Sequence, residues 1–196
     1  SAADRSQVVK EMNDFQKQLA SAEDPAAVVS KSGSEIPYLG LPVSSKAYQQ
    51  YPDIASKIDS LSVGTTGVVE NAQDNTLNII RVLSKAQLAD SIQFRQINIA
   101  AATPDEARAK ADSIQKALAG GADFDALAKR YGQTGEKVWF TGQQYEMAPS
   151  MNQDNRTFIN ALLNGEVNAT QNLALTQGNI ILQVLDKKAF TTKTTA

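Results

Sequence analysis

The chain has 196 residues, 42% of them hydrophobic and 20% charged, with 19 Lys plus Arg against 21 Asp plus Glu and a net charge of −2. That length fits one large domain or two small ones; no basic surplus suggests nucleic acid, and no block of like charge suggests a polyelectrolyte tail. Cysteine and histidine are both absent, which removes disulfides, thiol nucleophiles, Ser–His and Cys–His pairs, the usual general base and ordinary zinc sites. Whatever chemistry the chain performs falls to carboxylates, Lys, Tyr, hydroxyls or the shape of a pocket.

In chain order, the first element is an amphipathic helix. Val8, Met12, Phe15 and Leu19 follow Asp4 at spacings of 4, 3 and 4, one face of a helix. No apolar run is longer than four residues (Ala26–Val29 is one), so no membrane span is expected and the chain reads as soluble. Ser1 opens on polar, helix-like sequence with no signal peptide, so the start reads as the interior of a longer chain.

The same helical face returns 99 residues later. Ala107, Ala111, Ile114 and Leu118 repeat the 4, 3, 4 spacing, and Asp24, Ala27 and Val28 match Asp123, Ala126 and Leu127 at the same shift. Leu61-Ser62-Val63-Gly64 resembles Leu162-Leu163-Asn164-Gly165 at a shift of 101, and Asn78–Leu83 resembles Ile180–Leu185 at 102. Helix, second helix, Gly turn and closing strand in one order make an internal repeat with a period near 100.

The second copy is the clearer. Ile92–Ile99 reads as a strand. Thr103-Pro104-Asp105-Glu106 opens a helix as a capping box with Pro at its first position, and Gly120-Gly121 closes it. Asp123 caps a second short helix with Phe124, Leu127 and Tyr131 turned inward. Gly132–Gly135 is a loop, Val138–Phe140 a short strand, Asn152–Asn155 polar loop and Phe158–Leu163 a short helix ended by Gly165. Strands near Thr170–Thr176 and Asn179–Asp186 follow, turned by Gln177-Gly178, and Thr191–Ala196 reads as a frayed tail. The unit is β-α-α-(β)-α-β-β, in the α+β class. The first copy begins at its helix, with its opening strand expected before Ser1. The expected division is 1–90, 91–190 and a tail 191–196.

These residues carry a resemblance. Leu118–Tyr131, with its Gly turn followed by acidic-Phe-x-x-Leu-Ala-x-x-Tyr, resembles the signature of the parvulin-type peptidyl-prolyl cis/trans isomerases. Trp139-Phe140-Thr141-Gly142-Gln143-Gln144-Tyr145 is similar to that family's Trp-Phe-x-x-Gly-Gln-Met segment. Gly165-Glu166-Val167 and Ile180–Asp186 resemble its closing turn and strand, so residues 92–188 are covered and 4–85 repeat the pattern more faintly. Two tandem parvulin-like units, each a small mostly antiparallel sheet with flanking helices, resemble the periplasmic envelope folding factors of the PpiD and SurA type. The resemblance implies polypeptide clients, unfolded or proline-containing, no cofactor, no nucleic acid, and a membrane link only through a segment outside this sequence, at the inner membrane.

The resemblance also assigns positions. The family's first-strand His falls on Gln96, its Ser-Asp-Cys/Asp run on Gly132-Gln133-Thr134, its Met on Tyr145 with Met147 close by, and its last-strand His on Ile180. Trp139, Phe140 and Gln144 fit the pattern. The expected peptide-binding set is therefore Gln96, Thr134, Trp139, Phe140, Gln144, Tyr145, Met147 and Ile180. With both pocket histidines replaced, the implied role is client binding with little or no isomerase activity. An active isomerase with a His-free pocket is the alternative, and a purely structural tandem unit is a third. Two further motif matches carry no function: Ser113-Ile114-Gln115-Lys116 lacks the partner motifs of an acylase, and the sequons at Asn155 and Asn168 lie in Asn- and Thr-rich stretches.

Overall fold

The structure is a computed structural model that describes residues 2–33, 48, 50–142, 144 and 152–196. The chain divides into two compact units, Ser1–Gln87 with Thr191–Ala196, and Leu88–Phe190.

The first unit contains α1 (Ala2–Ser21), α2 (Pro25–Lys31), α3 (Pro52–Ser60) and an antiparallel hairpin of β1 (Thr66–Asn71) and β2 (Thr76–Arg81). The hairpin register runs from Thr66 opposite Arg81 to Asn71 opposite Thr76. Asn75 takes the left-handed conformation (φ 59°) in its turn, and the Asp74 carboxylate accepts from the Thr76 backbone N–H (3.0 Å) and hydroxyl (2.6 Å). Those bonds to Thr76 hold the Asp74 carboxyl below the usual carboxylate range. Ile54, Ile58 and Ile80 form the core of this unit, with Tyr48, Tyr51, Leu61 and Val69 packed around them. The α1 stripe is only partly used: Leu19 is buried, Met12 and Phe15 are half-buried, and Val8 is exposed.

The second unit is built on most of β3 (Ser84–Ile99), α4 (Pro104–Ala119), α5 (Phe124–Arg130), β4 (Val138–Thr141), α6 (Gln153–Asn164), β5 (Thr170–Leu175) and most of β6 (Gly178–Thr195); residues 84–87 of β3 and 191–195 of β6 fall in the first unit. The sheet has the order β4-β3-β6-β5, with β3–β4 and β5–β6 antiparallel. The expected α+β class with an antiparallel sheet and flanking helices is what the chain forms.

The capping chemistry explains the helix ends. The Thr103 hydroxyl accepts from the Glu106 N–H at 3.2 Å, with Pro104 at the first position; the reciprocal bond of a capping box is not made among the described residues. At the other end the Gly121 N–H donates to Leu118 and the Ala122 N–H to Ala117, both at 3.0 Å, with Gly121 at φ 90°. That is the paired-bond termination a left-handed Gly permits. Asp123 caps α5 by accepting from the Ala126 N–H at 2.7 Å.

Adjacent strand residues point to opposite faces. On one face Ile97, Ile99 and Ile181 pack with Ala111 and Ile114 of α4 and Phe124, Leu127 and Ala128 of α5, all buried. On the other face lies α6, where the Phe158 ring meets Phe94 edge-on at 5.4 Å. The Gln171 amide also donates to the Ala161 carbonyl (3.0 Å) on this side.

Three expectations change. Asn152–Asn155 is no loop: Asn152 accepts from the Asn155 N–H at 2.8 Å and starts α6 at Gln153, because Asn and Asp at that point are capping residues. The β5–β6 turn falls one residue earlier, since Leu175 pairs with Gly178 and leaves Thr176-Gln177 as its loop. The segment Thr191–Ala196 is not frayed: β6 runs to Thr195, Lys193 and Thr194 are 3% and 6% exposed, and the Thr195 carbonyl accepts from the Leu83 N–H at 2.6 Å.

Candidate functional site

The face of the second unit's sheet that looks toward α6 carries three of the expected residues. Phe140 of β4 stands directly opposite Ile92 of β3 and shares its face. Gln96 is two residues beyond Phe94 on the same face, and Ile180, opposite Leu173, shares the face of Leu182 and Val184 on β6. Ile92, Phe94, Leu182 and Val184 are buried, and Gln96, Phe140 and Ile180 are half-buried. Within this apolar ground the Gln96 side-chain oxygen, Oε1, is buried and has no hydrogen-bond partner among the described residues.

Other expected residues lie elsewhere. Trp139 pairs with Gln93 and points to the face opposite Phe140, because neighbours in a strand alternate. The residue is 38% exposed, and its ring carries the Lys188 ammonium 4.7 Å from its centre. Thr134 is exposed in the loop after α5, where its neighbour Gln133 makes the structural contact. The Gln133 amide accepts from the Asn98 N–H (2.8 Å) and donates to the Asn98 carbonyl (2.7 Å), satisfying the end of β3 as a strand partner would. The Gln144 Oε1 accepts from the Thr141 N–H at 2.8 Å and closes the turn after β4. Tyr145 and Met147 lie outside the described residues.

The opposite face holds a group that sequence reading missed. The Arg95 guanidinium lies 4.2 Å over the Phe124 ring, donates to Gln183 (2.8 Å) and pairs with Asp125 (3.2 Å). Beside it is an open cavity of about 530 Å³ lined by Gly121, Ala122, Asn168 and Thr170 among others. Nothing local in the sequence joins Arg95 to residues 30 and 88 positions away. At the far end of α6 the Lys187 ammonium donates to the Leu163 carbonyl at 2.8 Å, and burial there lowers its pKa.

No acid, base or nucleophile stands among the face residues Phe94, Gln96, Phe140, Ile180 and Leu182. Among the described residues no three Asp or Glu side chains gather as a metal site. The Ser-x-x-Lys match is a plain helix turn, with Ser113 exposed and Ile114 in the core. The arrangement thus defines a class: an α+β domain whose sheet carries, on the side of α6, an apolar face with a single side-chain amide in it.

The family model of the PPIC-type PPIase domain matches residues 77–188, more than half of the chain. The chain belongs to that family, the parvulin-type peptidyl-prolyl cis/trans isomerases, which act on proline-containing polypeptides. No curated protein and no solved structure gives a match. The matched range begins in β2, 15 residues before the apolar strand start at Ile92.

The family's reaction needs neither proton transfer nor a covalent intermediate. Rotation about the peptide C–N bond meets a barrier of about 18–20 kcal/mol from its double-bond character. A catalyst lowers it by holding the twisted imide better than either planar form.

Proposed function

We propose that this chain is a protein-folding factor of the parvulin family that binds unfolded polypeptide clients and has little or no isomerase activity. The observation that carries this reading is the content of the α6-side face: Gln96 and Ile180 occupy the positions where the resemblance places the family's two histidines. An amide and an alkyl group cannot reproduce a hydrogen-bonded imidazole pair, yet the apolar face around them can still receive Leu, Phe and Pro side chains.

The finer reading is a periplasmic factor of the PpiD and SurA type, tied to the inner membrane by a segment beyond this sequence, with two tandem parvulin-like units. Supporting the tandem reading, α1, α2, α3 and the β1–β2 hairpin follow the same order as α4, α5, α6 and the β5–β6 hairpin. Helices α2 (25–31) and α5 (124–130) correspond residue for residue at the shift of 99. Asp24 and Asp123 cap them alike, at 3.1 and 2.7 Å.

The test is cis/trans exchange of an Ala-Pro peptide followed by NMR, with and without the protein. The expected result is shifted peptide signals without faster exchange, and affinity that follows apolar and aromatic content. Clear acceleration, lost when Gln96 and Phe140 are both changed to Ala, would replace this reading with a working His-free isomerase.

A further inference from the structure

We propose that the Gln96 side-chain amide is a recognition group for a backbone N–H of the bound polypeptide, contributed by a residue other than the proline. The inference rests on the client-binding reading above and adds a specific contact to it. Gln96 Oε1 is buried and has no hydrogen-bond partner among the described residues. Three other glutamines of this unit show what a satisfied amide looks like. Gln133 makes two bonds to Asn98, Gln171 donates to Ala161, and Gln183 both accepts from Arg95 and donates to Asn168. A buried acceptor left without a donor is destabilising and uncommon in folded proteins; among the described residues the other such side-chain atoms, Asn71 Nδ2 and Arg81 Nε, lie in the first unit. Gln96 stands on the same face as Phe94, Phe140 and Ile180, so the missing donor would come from a chain laid on that face.

The chemistry of the donor follows. Proline nitrogen carries no hydrogen, so the imide itself cannot satisfy Oε1. A peptide N–H flanking it can. Gln96 therefore fixes the register of the bound chain through a neighbouring peptide group, independently of any rotation about the imide.

The experiment uses the full chain and a Leu- and Phe-rich peptide with one Ala-Pro, together with a series in which each backbone N–H is methylated in turn. The expected result is one position at which N-methylation weakens binding about tenfold, the value of one neutral hydrogen bond. Q96M should weaken the unmodified peptide by a similar factor and abolish the effect of methylation at that position alone. Because Q96M removes an orphaned acceptor without changing volume much, its thermal midpoint should equal or exceed that of the parent. Binding with a flat methylation series, or with the same series in Q96M, overturns the proposal and leaves the client-binding reading intact. A lowered midpoint in Q96M overturns it as well, since the amide would then be bonded in the free protein. Failure of every peptide to bind the unaltered chain overturns both.

Discussion

Arg81 closes β2 and reaches across to the end of α1. Its Nη1 donates to the Leu19 carbonyl at 2.7 Å and to the Ala22 carbonyl at 2.8 Å. The last turn of α1 has no basic residue of its own, so this guanidinium supplies both the hydrogen bonds and the positive charge that a helix C-terminus favours. The pairing spans about 60 residues of sequence and leaves no local trace. Charged donors of this kind contribute about 1.5–3 kcal/mol. Arg81→Met should cost the first unit that order of stability in urea unfolding, and Arg81→Lys should recover only part, because the shorter Lys side chain cannot bring its ammonium as close to both carbonyls. An unchanged midpoint in R81M would show that water replaces both bonds at no cost. The same scale explains why the candidate site was half legible. Trp139 and Phe140 are adjacent in sequence and read as one aromatic group, but a strand sends them to opposite faces. Gln96 and Ile180 were placed by the resemblance, and alternation along the strands puts them on the face of Phe94 and Leu182.

Among the elements, α4 and α5 were readable from their caps, whereas α6 was read as starting at Phe158 although Asn152 caps it at Gln153. Asp24 and Asp123 make the same bond to the N–H three residues on, yet they cap helices in different surroundings. Helix α5 buries Phe124, Leu127 and Ala128, whereas α2 buries none of its residues. Seven residues cannot hold a helix in isolation. Packing therefore decides how each cap is felt. Asp123→Ala should lower the global stability of the second unit by about 1 kcal/mol, seen as a shifted urea midpoint. Asp24→Ala should leave that midpoint in place and instead speed hydrogen exchange at the Val28 and Val29 amides. Equal global losses in the two variants would mean that α2 is held as firmly as α5. The spacing rule met a similar limit at α1: the stripe from Val8 to Leu19 identifies the helix correctly, but only its C-terminal turn meets a core, so the period reports a helix without reporting how much of it is covered.

For the molecule as a whole, the division into units does not follow the order of the chain. The first unit consists of residues 1–87 together with 191–196, so the last strand returns to the fold begun by α1. Sequence reading treated Thr191–Ala196 as a loose end because it is polar and has no apolar alternation. Threonine is nevertheless a strand former, and a polar segment is held when its backbone groups are paired. The Leu83 N–H meets the Thr195 carbonyl at 2.6 Å, beside a fully buried Val82. Removing residues 191–196 takes away that acceptor and uncovers backbone in the first unit, while the core of the second unit, Ile97, Ile99, Ile114, Phe124 and Ile181, contains no residue of the deleted segment. The truncated chain should show much faster hydrogen exchange at Leu83, and a lower unfolding midpoint for the first unit. The Ile97 and Ile181 amides should keep their protection until the second unit unfolds. Loss of protection at all these amides together would mean that the two units unfold as one, and unchanged exchange at Leu83 would return the C-terminal segment to the frayed end that its composition suggests.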